Sequence, residues 1–502
     1  MKTSTATISA PTNGWNTKDP LDRMSPSYAL RMINAYPDDG YVRTRRGYKL
    51  HCDTGIAADV NTLVEFPKTD GTQKLIACAG TRFIDVTTSS PALLGPSITN
   101  SRWQHVIMNG RILFFNGVDT PQVYDGTTWS QPTYTGHTEP LTPSTLVQGC
   151  IFKNRIYLVQ KDTTCVWYGN VREYQGQLDK IDYSSVLQRG GHVRFVTSWS
   201  RDTGLGLQDY LIIVSSEGEI LLYQGSDPST ATQPDSITLA ARFYIPEPVL
   251  GYRGYLQMGS DLLLIHSTGV TPVSALLAAG NDSSFSTITA NINQAFISAI
   301  ETFGGYEGWG AAYHSSGKAV YFNIPIPNAA QQFVMNPTKG AWAQYTGMNA
   351  KVWAPYRNYI MFGGTSGKVY QADVGAVDSN IAIKSEIQIA YNYFGDRGRI
   401  KRFTMLRPHI KSGPRETFSV AVDVDFQDSA LASTVGGADI ASYWDIDTWN
   451  TALWAGTKIR GDDVYSLTAL GRCAALSFGF ESASAQYEFY AAAVSFETGG
   501  LL

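Results

Sequence analysis

The chain has 502 residues, with 39 Lys plus Arg against 43 Asp plus Glu, a net charge of -4 and only 16% charged residues. That near balance argues against a strongly basic nucleic-acid binder and an acidic disordered tail, and the length exceeds what one core supports, so two or three domains are expected. Hydrophobic residues are 43%, enough for a sizeable core, and 28 Tyr, 21 Phe, 47 Gly and 22 Pro predict many short strands joined by tight turns.

The N-terminus carries no apolar core of a signal peptide. Nor does the chain contain a run of about 18 apolar residues, so no membrane-spanning helix and synthesis in a cytoplasm are expected. Residues 1–55 lack the pattern that follows and are expected to join a second domain. From Leu75 onward a hairpin recurs: a short apolar strand, a polar or glycine turn, a second apolar strand. It appears at 75–86, 111–126, 155–169, 210–223, 262–270, 319–335 and 359–370. Four repeats separate Ile156 from Tyr359, about 51 residues each, which is the size of a propeller blade. Residues 56–378 are therefore expected to form a β-propeller of six or seven blades. One segment breaks the pattern: Ile288, Ile292, Phe296, Ile300 and Phe303 recur every three or four residues and stop at Gly304-Gly305. That spacing predicts one amphipathic helix near 287–303, packed on the rim. Residues 379–502 alternate apolar and polar, as in Phe418-Ser419-Val420-Ala421-Val422, and predict an antiparallel, sandwich-like platform domain. Removing 381–502 is expected to leave a soluble propeller that no longer assembles.

The search for chemistry yields little. The five Cys are scattered without a CxxC pair and read as free thiols. The seven His show no HxH or HExxH spacing, and neither GxSxG nor a phosphate-binding loop occurs. No catalytic, metal or cofactor residue is assigned. His266 ends an apolar strand and reads as core. Asp423 and Asp425 share a strand face, a pairing that glycoside hydrolysis can use, but a solvated face or polar interface is the plainer reading. A sialidase-like enzyme is suggested by Arg242 before Ile245-Pro246 and by the turn at Asp125-Gly126; in both the match to that family's pattern is loose. Two basic clusters stand out: Arg43, Arg45 and Arg46, and Arg397, Arg399, Lys401 and Arg402, followed by Arg407, Lys411 and Arg415. With a negative net charge they read as solvated faces or subunit contacts rather than phosphate sites.

Both ends of the chain resemble one family. Gly14-Trp15-Asn16 through Pro20, Met24-Ser25-Pro26, Ala29 to Asn34, and Gly40 through Arg45-Arg46-Gly47 are similar to the entry segment of the tail nozzle proteins of short-tailed bacteriophages, also called tail hub, tail tubular or packaged-DNA stabilisation proteins. Phe394-Gly395, Arg399 to Phe403, Arg407-Pro408-His409-Ile410 and the terminal Phe496-Glu497-Thr498-Gly499-Gly500 resemble that family's closing strands. The resemblance implies a structural protein of the virion tail, assembled in the bacterial host cytoplasm. It implies a homo-oligomeric ring, usually hexameric, below the portal and its adaptor ring. It further implies that genomic DNA passes through the lumen without sequence-specific binding and that tail fibres or tailspikes dock on the propellers. The two basic clusters are then candidate subunit or adaptor contacts. A phage carbohydrate- or receptor-binding propeller and, further off, the sialidase-like glycosidase stay open as alternatives.

Overall fold

The computed structural model describes all residues except 1–2, 137–138, 203–206, 230–235, 246–249, 280–285, 328, 413–416, 428–432, 437–458, 461–463, 483–484 and 502. The fold is all-β: a propeller joined to a β-sandwich. Five separate small sheets and two arms of a 14-stranded sheet make seven blades in chain order. The innermost strands are Val60–Pro67, Gln104–Met108, Leu146–Phe152, Val193–Asp202, Tyr255–Met258, Gly310–His314 and Val352–Tyr356.

Each hairpin read from the sequence is the second and third strand of one blade, as in Arg111–Phe115 with Gln122–Tyr124 and Tyr359–Gly363 with Lys368–Ala372. Such strands are buried on both faces, so they read as short apolar runs rather than alternations. Apolar clusters fill the gaps between neighbours. Phe66, Ile76 and Phe83 of the first blade meet Trp103, Ile112 and Phe114 of the second. Phe195, Ile212 and Val214 of the fourth meet Leu262, Leu264 and Leu276 of the fifth. Ring closure follows the same rule, with Leu63 and Ala77 against Val352 and Ala354.

Two features depart from the expected boundaries. Strand Tyr48–Asp53 does not join the platform; it is the outermost strand of the last blade, paired from Ala372↔Tyr48 to Lys368↔Asp53. The N-terminal part of the chain thus clasps the final blade beside the first, and the propeller begins at 48 rather than 56. The fifth blade has three described strands and a second, unanticipated helix, Val273–Ala279, follows where a fourth would run. The expected helix spans Asn293–Phe303 and buries Phe296 against Trp309 and Phe333.

The sandwich draws on both chain ends. In one sheet the C-terminal strand Glu488–Leu501 lies between Thr3–Ser9 and Arg399–Lys411, which in turn pairs with Tyr465–Gly471. In the other, Ile381–Ile389 lies between Ala29–Ile33 and Ala474–Ser482, and Thr417–Val424 follows. Phe489 meets Phe478 with ring centroids 4.6 Å apart, and Tyr487 meets Phe480 at 4.8 Å, closing the space between the sheets. The sandwich core is continuous with that of the fifth to seventh blades. Loss of 381–502 would strip the N-terminal strands of their partners and open this shared core. An aggregating fragment, not a soluble propeller, is therefore the expected product.

Candidate functional site

The junction between sandwich and propeller is built by residues of the N-terminal motifs. Arg45 is 1% exposed. Its guanidinium grips Asp378 through Nη1–Oδ1 at 2.8 Å and Nη2–Oδ2 at 2.5 Å. Nε donates to Asn34 Oδ1 at 2.9 Å, Nη1 to the Arg46 carbonyl at 3.0 Å and Nη2 to the Thr346 carbonyl at 2.8 Å. All five N–H donors are used, which is what a desolvated arginine requires. Gly47 follows because a Cβ there would lie 1.8 Å from the Val377 carbonyl oxygen. Gly14 has φ +82°, and a Cβ would lie 2.5 Å from Trp342 N, so only glycine fits on both counts. Trp15 meets Phe333 edge to face with ring centroids 5.3 Å apart, and Asn16 Oδ1 accepts the amides of Lys18 and Asp19.

Arg45 is therefore an internal clamp and unavailable to another chain, contrary to its reading as an interface residue. Arg43 is half-buried, stacked 4.6 Å over Tyr36 and bonded to Asp38 at 3.3 Å; Arg46 is exposed. The second cluster divides in the same way. Lys401 is 1% exposed, and its ammonium donates to the carbonyls of Asp396, Arg399 and Arg472. Burial pushes its pKa down. It too is withdrawn from any partner, because Lys401 shares the inward strand face with Phe403. Arg397, Arg399 and Arg402 are exposed. Arg397 stacks over Tyr393 at 4.6 Å, Arg399 pairs with Asp396 at 3.3 Å, and Arg402 stands opposite Glu497 in register. Arg407 is exposed, Lys411 pairs with Glu488 at 3.0 Å, and Arg415 lies outside the described residues.

The outward face of this sheet has its own character. Thr3, Thr5, Thr7 and Ser9 run beside Ser495, Ala493 and Ala491, with Arg402 and Arg407 on the next strand. It is a face mostly of hydroxyls and methyls that also carries Glu497, opposite Thr3 and Arg402, together with His409 and the exposed Met405, and has Arg402 and Arg407 at its border.

The remaining candidates are structural. His266 is fully buried, held by Thr271 Oγ1 at 2.8 Å and Thr268 Oγ1 at 2.9 Å, and burial pushes its pKa down to about 4. Asp423 and Asp425 do not act as a pair. Asp423 is fully buried, taking hydrogen bonds from Gln388 and Ser477, while exposed Asp425 accepts the Arg472 amide in a turn. Of the two plainer readings, a solvated face or a polar interface, the solvated face does not hold at Asp423, which makes buried polar contacts within the sandwich. Arg242 Nε pairs with buried Glu219 at 3.1 Å, and Asp125 caps its own turn through the amides of Thr127 and Thr128. One arrangement had no sequence signal. Ser316 Oγ lies 2.7 Å from His314 Nε2, and His314 Nδ1 lies 3.5 Å from Asp373. Ser316 Oγ also lies 2.9 Å from the Asn358 carbonyl, so this trio ties the sixth blade to the seventh. Of the free cysteines, Cys165 is half-buried and Cys52, Cys78, Cys150 and Cys473 are buried. Among the described residues no group of three or more His, Cys, Asp or Glu is placed to hold a metal, and no helix is long and apolar enough to cross a membrane.

No family model matches the chain, and no curated protein matches it either. Among solved structures, it is similar to the computationally designed Ika8 protein, with 10% identity, 65% of this chain and 100% of that one covered, and a TM-score of 0.39. It is similar to YCF48 bound to a D1 peptide at 9% identity, with 68% and 98% covered and a TM-score of 0.38. BBS1N in complex with ARL6DN matches at 9% identity, with 65% and 97% covered and a TM-score of 0.41.

Proposed function

We propose that this chain is a structural subunit of a virion, the tail nozzle of a short-tailed bacteriophage. It would assemble as a ring, six-fold in the family it resembles, below the portal adaptor, retain packaged DNA and form the channel for its ejection. The observation that carries the reading is where the family-like stretches fall. They are far apart in sequence, yet all lie in the sandwich or at its junction with the propeller. Phe394 packs 5.3 Å from Phe403 and 5.2 Å from Phe496, and Arg43 stands opposite Glu488. The family-like stretches of the two chain ends therefore fall in one body rather than scattering over the fold.

A closed ring needs two different faces on each subunit. A sandwich with a propeller inserted into it offers them. The face, mainly Thr, Ser and Ala side chains with Arg402 set opposite Glu497, suits a channel wall, because a polyanion must slide past without the tight, salt-dependent grip of a basic stripe. Arg399 and Arg402, exposed near one end of that sheet, suit a subunit or adaptor contact. The test is to mix the purified chain with tail-less, adaptor-bearing capsids of the phage that encodes it, then sediment and image them. The reading predicts a new ring at the adaptor vertex; capsids that emerge unchanged would overturn it.

A further inference from the structure

The seven inner strands leave space along the propeller axis. At the end of the ring where those strands begin, a cavity of about 210 Å³ is lined by Gln104, His105, Tyr252, Arg253, Trp309 and Trp353, among others. A second space of about 190 Å³ shares Gln104, Tyr252, Arg253 and Trp309 and adds Arg102, Arg194 and Glu307. Four cations line this shared space: Arg102, Arg194, Arg253 and Lys351. Two are neutralised, Arg102 by Glu307 at 2.8 Å and Lys351 by Asp59 at 3.3 Å. Among the described residues, no carboxylate lies within ion-pair distance of Arg194 or Arg253.

Arg253 reaches across the axis. It donates to Gln104 Oε1 at 3.3 Å, the Asn61 carbonyl at 3.1 Å, Thr62 Oγ1 at 3.2 Å and the Trp103 carbonyl at 2.7 Å. All four acceptors are neutral. Burial, reinforced by the like charge of Arg102, pushes its pKa down to about 9. Arg194 lies 5.3 Å over the Tyr252 ring, and its buried Nε makes no hydrogen bond. A strut between blades accounts for the hydrogen bonds of Arg253. It does not account for the charge, because a neutral amide also donates hydrogen bonds, and Arg194, stacked on and hydrogen-bonded to Tyr252, takes no part in that strut. A chain of net charge -4 thus gathers at the axis of its propeller, where charge-assisted hydrogen bonds are strongest, two guanidinium groups that have no ion-pair partner among the described residues, with Glu307 acting on Arg253 only from beyond ion-pair distance.

We propose that this axial cavity binds a small oxyanion, a carboxylate or phosphate on a molecule no larger than a monosaccharide. Arg194 and Arg253 hold the charge, and Tyr252 and Trp309 wall the remainder. The volume sets the size, since each water occupies about 30 Å³ of liquid. The site needs no ring and stands apart from the nozzle reading.

The test is isothermal titration of the full chain with sodium phosphate and with sodium D-glucuronate at fixed ionic strength, with D-glucose and chloride as controls. Saturable binding of phosphate, of glucuronate or of both is expected, and which one binds identifies the oxyanion; the controls should give none. Arg194→Gln should remain folded and bind about tenfold more weakly or worse, as loss of a hydrogen bond to a charged group implies. Arg253→Gln should abolish binding if circular dichroism shows it folded; if it does not fold, Arg194→Gln decides. Absence of saturable binding by either anion, equal binding of glucose, or undiminished affinity in Arg194→Gln would overturn the proposal.

Discussion

Replacing Asp378 with alanine strands the Arg45 guanidinium at the junction of the two bodies. Two of its five N–H groups lose their acceptors, the carboxylate oxygens at 2.8 and 2.5 Å, while Asn34, Arg46 and Thr346 keep the other three. Breaking a buried ion pair from one side costs about 3–5 kcal/mol, because the remaining charge stays desolvated. The side chains are 1% and 10% exposed, so water can relieve the Asp378 side of the pair better than the Arg45 side. Asp378→Ala is therefore placed near the top of that range and Arg45→Ala nearer the bottom. The double variant Arg45→Met with Asp378→Leu removes both charges and should recover part of the loss, the remainder reflecting the Arg46 and Thr346 carbonyls left without their donor. Denaturant unfolding followed by tryptophan fluorescence measures this, using the midpoint of the first transition because a chain of two bodies need not unfold in one step. A loss under about 1 kcal/mol for Asp378→Ala, the value of a surface pair, would refute the clamp. So would a double variant as damaged as the single one.

Other outcomes follow from the same geometry. His266 has a folded pKa of about 4 against an ordinary 6.5. Below pH 6.5 the unfolded chain takes up a proton that the folded chain refuses. Its contribution is thus complete above that pH and is lost toward pH 4, at up to about 1.4 kcal/mol per pH unit; His266→Gln should flatten the slope of unfolding midpoint against pH. Gly47→Ala forces a Cβ into the Val377 carbonyl and should lower the first transition by about 1–3 kcal/mol, whereas Gly40→Ala, with open space around it and φ +81°, should cost only about 1 kcal/mol of backbone strain. Arg399→Glu with Arg402→Glu should leave the melting temperature nearly unchanged yet block attachment to adaptor-bearing capsids. Normal attachment with an altered rate of DNA ejection would move these residues to the channel.

The sequence made the middle of each blade legible and hid its edges. Leu211-Ile212-Ile213-Val214 is apolar throughout because both faces meet a neighbouring blade. Outer strands such as Ala92–Leu94 are mostly exposed and carry no such run. Tyr48–Asp53 is half-exposed, and its partner Lys368–Ala372 lies at the other end of the propeller. A pairing of that range leaves no local pattern. The burial of the basic residues is hidden for a similar reason. Lys401 could have been read as inward, since it alternates with Phe403 on a strand of period two. Arg45 could not, because its burial depends on Asn34, Thr346 and Asp378, which only the fold brings together. Gly14 and Gly47 stand in the family-like motifs, but the close approaches of Trp342 and Val377 that require them are tertiary.

The most direct test of the account is cryo-electron microscopy of the intact virion at the vertex that carries the tail. The account predicts a ring below the adaptor in which sandwiches built from residues 3–44 and 381–501 surround the channel. Seven-bladed propellers would project outward, and Thr5, Thr7 and Ser495 would face the DNA path. A tail vertex that lacks this chain, or one in which the propellers line the channel and the sandwiches face outward, would contradict it.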